Sequence, residues 1–137
     1  MDIQFKHKPW GREVWFAQNE HYAGKILEVK KGHRLSLQYH NQKIETQYVY
    51  KGRVKMVFGD DVNSLNEKIL QAGEKFEIIP KTIHRVEALE DSEIFEVSTP
   101  ELDDIVKLQD DYGRSGSGNN FGLDQELHNK NFQCLLY

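Results

Sequence analysis

From Glu13 to Val97 the chain is a succession of short strand-type runs, each closed by a turn signal, with no long helical pattern between them. Glu13-Val14-Trp15-Phe16, Lys25-Ile26-Leu27-Glu28-Val29, Thr46-Gln47-Tyr48-Val49-Tyr50 and Arg53-Val54-Lys55-Met56-Val57-Phe58 are rich in β-branched and aromatic residues. Such residues fit a pleated, half-buried surface. Further strands are expected over residues 35–40, 68–70, 76–79, 84–88 and 92–97. Lys31-Gly32, Lys51-Gly52, Gly59-Asp60-Asp61 and Ala72-Gly73 supply the turns. Many short, regularly punctuated strands close as an antiparallel sandwich or barrel, so the fold class is all-β.

Helix is expected only late. Ser98-Thr99-Pro100-Glu101 offers a hydroxyl cap, a first-turn proline and an acidic first turn, and one or two helical turns are expected over 102–109. Ser115-Gly116-Ser117-Gly118-Asn119-Asn120 reads as a flexible linker, leading into a tail with a few apolar residues. No Gly-Lys-Ser/Thr follows these glycines, so they are not read as a phosphate loop. The expected organisation is one domain over 1–114 and a linker and tail over 115–137.

Composition narrows the function classes. A chain of 137 residues has room for one domain of ordinary size, not two catalytic ones. Eighteen Lys and Arg against 22 Asp and Glu give a net charge of −4, without the basic excess of a nucleic-acid-binding domain. No apolar run approaches the roughly 18 residues of a membrane span, and the N-terminus lacks a signal-peptide core. The single cysteine, Cys134, can build neither an internal disulfide nor a cysteine-rich metal site. It has no His or basic cluster beside it in sequence, so it is not read as a nucleophile. A soluble, cytoplasmic protein is expected.

Gln38 and His40 share one face if residues 35–40 form a strand, because side chains alternate with period two. Glu45 follows after a polar turn, and His84 follows the turn at Pro80. Singly, these are ordinary polar residues. Together, an amide oxygen, two imidazoles and a carboxylate make a plausible ligand set for a divalent first-row metal, with positions left for water or substrate.

The spacing resembles the two motifs of the cupin superfamily. Gly32, five residues, Gln38-Tyr39-His40, four residues, Glu45, six residues and Gly52 follow the first motif; Gly73 and His84, eleven positions apart, follow the second. Gln38 replaces the first motif histidine, Lys81 stands where glycine is usual, and Pro80 sits one position late. Gln38, with Pro9-Trp10-Gly11, Gly32-x-Arg34-Leu35-Ser36-Leu37, His84-Arg85 and the stretch from Asp103-Asp104-Ile105-Val106 to Asp111-Tyr112-Gly113-Arg114, is similar to the isomerase module of the type II mannose-6-phosphate isomerase/mannose-1-phosphate guanylyltransferase family. The resemblance covers about residues 8–114. It does not extend to the nucleotidyltransferase half, so guanylyltransferase activity is not implied.

This resemblance implies a double-stranded β-helix, or jelly-roll barrel, holding a divalent metal on Gln38, His40, Glu45 and His84. Zinc is the first choice; manganese, iron and nickel suit the same donors. It also implies aldose–ketose isomerisation of a sugar phosphate, of the mannose 6-phosphate/fructose 6-phosphate type. Within that reading, Arg85, Glu96 and Lys25 are the candidate catalytic residues, and Arg34 and Lys43 the candidate phosphate ligands. Lys43 and Thr46 stand where such modules usually carry Arg and His. Two alternatives stay open: a non-catalytic cupin that binds a sugar or sugar nucleotide, and a metal-dependent oxygenase. A homodimer is expected, with edge strands or the apolar tail residues at its contact.

Overall fold

A computed structural model describes residues 2–132; Cys134, Leu135 and Leu136 lie outside the described residues. Twelve strands and one helix follow in order. They are β1 (Gln4–Lys8), β2 (Gly11–Gln18), β3 (Ala23–Val29), β4 (Leu37–Tyr39), β5 (Glu45–Lys51), β6 (Arg53–Gly59), β7 (Asn66–Gln71), β8 (Lys75–Ile78), β9 (Ile83–Ala88), β10 (Ser92–Ser98), β11 (Val106–Gln109), β12 (Gly116–Ser117) and α1 (Phe121–Phe132). Two six-stranded antiparallel sheets, ordered β1-β2-β3-β10-β5-β8 and β12-β11-β4-β9-β6-β7, face each other as a jelly-roll barrel.

Period-two alternation separates the lumen from the outside. Leu27 and Val29 of β3, Val49 of β5, Val54 and Met56 of β6, Ile78 of β8, Val86 and Ala88 of β9 and Ile94 of β10 form an apolar core with Trp10. Continuing inward positions at the other end of the barrel are charged or polar instead: Glu13, Lys25, Glu45, Gln47, His84 and Glu96, all buried. In the cross-strand register Glu96 sits beside Lys25 on one side and Gln47 on the other. Gln38 sits beside His84. One barrel therefore holds an apolar plug and a polar chamber, set by the same strands.

The C-terminal third departs from the sequence expectation. Residues 102–109 form a turn and then β11, not helix. Val106 and Lys107 pair with Tyr39 and Gln38, so the open edge of β4 recruits the segment as a strand. The Asp103 and Asp104 side chains accept from distant backbone amides, of Asn119 and of residues 41–43, which suits a turn rather than a helix interior. Residues 115–120, read as a linker, carry β12, which pairs with β11. The helix begins after them, with the Asn120 side chain accepting from the Leu123 amide as an N-cap. β1 was not expected; its polar alternation is weak, and it is held by pairing along β2.

α1 docks mainly through polar contacts. Lys8 Nζ donates to Asp124 at 2.7 Å in a buried pair, and Arg114 joins Asp110 at 2.7 Å and Asp124 at 3.4 Å. His128 Nδ1 lies 2.9 Å from the Lys8 carbonyl, and Asn131 donates to the Pro9 carbonyl. Phe121 meets the Trp15 ring edge-on at 5.8 Å. Among the described residues, no helix is long and apolar enough to cross a membrane.

Candidate metal centre in the barrel lumen

β4 and the turn after it present Gln38 and His40, the start of β5 presents Glu45, and β9 presents His84. His40, Glu45 and His84 are each about 98% buried or more, and one donor atom from each lies within 4.8 Å of the others. Both imidazole Nε2 atoms lie 3.2 Å from Glu45 Oε1. The far sides of the rings face backbone carbonyls: His40 Nδ1 is 2.6 Å from the Asp104 oxygen and His84 Nδ1 is 2.9 Å from the Thr82 oxygen.

A carbonyl only accepts, so each Nδ1 carries a ring proton, and Nε2 is the atom of each ring left to face a metal. Two imidazole nitrogens and a carboxylate oxygen thus converge in a buried pocket, and His84 Nε2 is buried without a hydrogen bond. Three donors that close around one point are what a small cation needs. A backbone carbonyl behind each imidazole is also the usual way to fix a metal-binding tautomer. The donors therefore fit a divalent first-row metal. Gln38 belongs to the same wall, but its Oε1 accepts from the Ser36 hydroxyl at 2.6 Å.

Behind the three donors runs a buried chain of alternating charge. Lys43 Nζ lies 3.0 Å from Glu45 Oε2 and 3.2 Å from Glu96 Oε2, Lys25 lies 3.9 Å from Glu96 and 3.4 Å from Glu13, and Gln47 donates to Glu96. Burial works against the Glu45 charge, but Lys43 leads the groups that overcome it and hold the carboxyl well below its ordinary range. Burial and then the neighbouring Glu45 push Glu96 up, against the pull of Lys43 and Lys25. Burial would lower Lys43, but Glu96 and Glu45 raise it further, so it stays an ammonium.

The structure brings Lys25, Lys43 and Glu96 together with the three donors, and it keeps Arg34 and Arg85 away from them. Arg34 makes a bidentate pair with Asp111 at 2.6 and 2.8 Å on the outer surface. Arg85, next to His84 on β9, points to the other face, as alternation dictates. It donates to the carbonyls of Leu35 and Gln109. Two chamber residues, Glu13 and Gln47, and one residue of the turn outside the chamber, Asp104, were not singled out from the sequence. Glu13 and Gln47 carry a usable signal, being polar residues in phase with inward apolar neighbours. Asp104 carries none, because its carboxylate reaches the amides of Asn41, Gln42 and Lys43 at 2.7–3.0 Å across the fold.

The chamber is small. A cavity of about 40 Å³ lies against Gln38, Lys43, Gln47 and Glu96, and Ile105, Lys107, Arg114 and Asn119 of the C-terminal segment wall it off.

A family model described as "Mannose-6-phosphate isomerase C-terminal" matches residues 3–110. The chain belongs to that family. Among curated proteins, members' relatives include the mannose-1-phosphate guanylyltransferase ManC of Salmonella typhimurium, 30% identical over 113 residues. Another is the xanthan biosynthesis protein XanB of Xanthomonas campestris, 31% identical over 115 residues. The matches cover 79% and 80% of this chain but only 22% and 23% of those proteins, so the chain spans under a quarter of their length. Among solved structures, oxalate decarboxylase from Bacillus subtilis superposes with a TM-score of 0.67 at 16% identity, over 78% of this chain and 30% of that one. The capsular polysaccharide assembling protein CapF from Staphylococcus aureus superposes with a TM-score of 0.65 at 18% identity, over 80% of this chain and 35% of that one. KdgF from Halomonas superposes at 0.62 with 20% identity, over 76% of this chain and 90% of that one. At these identities the likeness establishes the fold, which is the cupin double-stranded β-helix. This member of the isomerase C-terminal family is thus a cupin with a His–Glu–His group in its lumen.

Proposed function

We propose that this domain is a metal-dependent sugar-phosphate aldose–ketose isomerase of the mannose 6-phosphate/fructose 6-phosphate type, serving mannose or nucleotide-sugar metabolism in the cytoplasm. The observation that carries the reading is the convergence of His40 Nε2, His84 Nε2 and Glu45 Oε1, with both Nδ1 atoms already committed to carbonyls. His40, Glu45 and His84, joined by Gln38 once its amide leaves Ser36, would hold zinc first, with manganese, iron or nickel as fits to the same donors. Such an ion, when bound, polarises sugar oxygens and stabilises the negative charge of an enediolate.

The remaining work falls to the chain's own residues. Isomerisation moves a proton between C1 and C2, and Glu96, on the strand paired with that of Glu45 and buried in the same chamber, is the candidate carboxylate for lifting and returning it. Lys43 and Lys25 flank Glu96 and supply positive charge beside the developing enediolate. Lys43 also serves as the phosphate ligand nearest the chamber. Arg34 enters that role only by leaving Asp111, and Arg85 only by giving up two carbonyls, so both rank below the lysines.

Metal-loaded protein incubated with mannose 6-phosphate is expected to yield fructose 6-phosphate, and His84→Ala to abolish the yield. Turnover no higher than that of His84→Ala overturns the reading.

A second reading, a non-catalytic cupin that binds a sugar or sugar nucleotide, is favoured by one observation. The 40 Å³ cavity is far below the roughly 300–1,000 Å³ of a small-molecule pocket, so it does not enclose a hexose phosphate as it stands. Saturable sugar binding without turnover would select it.

A further inference from the structure

The buried side chains of α1 are Asp124 and His128, both polar. Asp124 supplies the charge of the docking. Its Oδ2 accepts from Lys8 at 2.7 Å and its Oδ1 from Arg114 Nη1 at 3.4 Å, so one carboxylate bridges two cations. The other edge of the Arg114 fork, Nε and Nη2, is committed to Asp110 at 3.0 and 2.7 Å. Lys8 and Arg114 also line the 40 Å³ cavity that holds Glu96, and Lys107 lines it with them. Lys107 Nζ donates to the Gly118 carbonyl rather than to a carboxylate. Burial, and then the nearby Arg114 and Lys8, lower its pKa, as a local excess of positive charge does. Lys107, Arg114 and Asn119 line a second space as well, a cleft of about 520 Å³ along the start of α1 with Asp124 in its wall.

We propose that α1 is an autoinhibitory element of this chain: its Asp124 carboxylate competes with the phosphate of a sugar phosphate for the cations beside the chamber, and substrate binds by displacing it. The inference rests on the isomerase reading for the identity of the anion, and adds a regulation of the same site. α1 lies beyond residues 3–110, which the family model matches, so that match assigns it no role. Lys43 lines the same cavity but is held by Glu45 and Glu96, which leaves Lys8, Lys107 and Arg114 as the charge open to exchange.

Charge favours the exchange. Those three cations face two carboxylates, Asp110 and Asp124, with α1 docked; without Asp124 they face one, and the cluster carries two net positive charges. A phosphate monoester brings about −1.5 to −2 at neutral pH and three acceptor oxygens, against one charge and two oxygens from Asp124. A buried ion pair is close to break-even against its desolvation, and the costly state is a cation left alone, which an incoming phosphate prevents. The helix has no buried apolar side chain to peel away. Space favours the exchange too. The 40 Å³ cavity does not enclose a hexose phosphate, and withdrawal of the first turn of α1 joins it to the 520 Å³ cleft, within the roughly 300–1,000 Å³ of small-molecule pockets.

Amide exchange and steady-state kinetics on the full chain test the proposal. In the native chain, inorganic phosphate is expected to speed exchange over residues 121–132 by about 10-fold or more relative to sodium chloride at equal ionic strength, while β3 and β10 stay protected. Asp124→Asn keeps the shape of the side chain and removes its charge. It is expected to lower KM for mannose 6-phosphate by about 10-fold or more at unchanged kcat, because a larger fraction of the chain is competent to bind. Protection of α1 that phosphate leaves unmoved overturns the proposal, whether or not the native chain turns over. So does a folded Asp124→Asn variant with an unchanged or raised KM, which would make Asp124 a structural anchor only. Release of α1 by phosphate in a chain without turnover supports the proposal and strikes the isomerase reading alone, so the two failures are told apart.

Discussion

Lys81 is the non-glycine residue at positive φ among the described residues, at 72°, in the turn that delivers His84. Its amide donates to the His40 carbonyl at 2.7 Å, tying the two ligand-bearing turns together. A left-handed backbone costs an ordinary residue roughly 1–2 kcal/mol, while glycine gives back about 0.5–1 kcal/mol as lost unfolded-state restriction. Lys81→Gly is therefore expected to stabilise the domain by about 0.5–1 kcal/mol in urea unfolding, with the metal site intact; a destabilised variant would mean that the Lys81 side-chain bond to Asn41 outweighs the strain. Asp104 acts on the same site from the opposite side. Its carbonyl fixes the His40 ring, and its carboxylate gathers three amides of the turn between His40 and Glu45. Burial raises this carboxyl, and the amides of Asn41, Gln42 and Lys43 together more than reverse it, so it is held below its ordinary value. Asp104→Ala frees that turn and is expected to weaken metal affinity about 10–100-fold in a chelator competition, as losses of such supporting contacts do. Unchanged affinity would show that the His40 carbonyl contact alone suffices. The closeness of His40, Glu45 and His84, with Gln38 beside His84, was legible in the sequence because strand alternation and turn length decide it locally. Asp104 was not, because its partners lie more than sixty positions away.

At the scale of elements, the C-terminal segment shows where local preference loses. Residues 102–109 have a helix start signal, yet the unpaired edge of β4 offers Val106 and Lys107 a ladder, and pairing wins. α1 was hidden for the converse reason: its sequence has little amphipathic pattern, and it is anchored by ions and carbonyls rather than by an apolar stripe. Asp124 is the centre of that anchor, reached by both Lys8 and Arg114. Removing one partner of a buried charge cluster strands the others, at a cost of about 3–5 kcal/mol. Asp124→Ala is expected to lower stability by that order and to release α1, read as fast amide exchange over 121–132 while the sheets stay protected. Equal loss of protection in β3 and β10 would instead make helix and barrel one cooperative unit. The wall of the 40 Å³ cavity includes Arg114, so the same variant is expected to enlarge access to the chamber.

For the molecule as a whole, the polar chamber is a liability in acid. Burial alone would raise Glu13, but Lys25 and Lys8 overcome it and, with the Trp15 indole donating at 2.8 Å, hold the carboxyl at about 2. An unfolded glutamate titrates near 4.3. A carboxyl depressed on folding contributes stability that is complete above its unfolded value and is lost as pH falls toward its folded one. Stability is therefore expected to fall between about pH 4.5 and 2, and Glu13→Gln to flatten that part of the profile in denaturant titrations. An unchanged slope would assign the acid sensitivity to other carboxylates.

The sequence by itself determined the all-β class and the strand phases that put Gln38, His40 and His84 on one wall, because each depends on alternation and turn chemistry within a few positions. Tertiary structure alone decided which of the expected cations reach the chamber. Lys25 and Lys43 are drawn in by Glu13, Glu45 and Glu96, whereas Arg34 is captured outside by Asp111. Pairing between charges depends on distances across sheets, and only the closed barrel sets those distances. It likewise decided that residues 105–119 wall the chamber. That follows from which strand edges are left over once the two sheets have met.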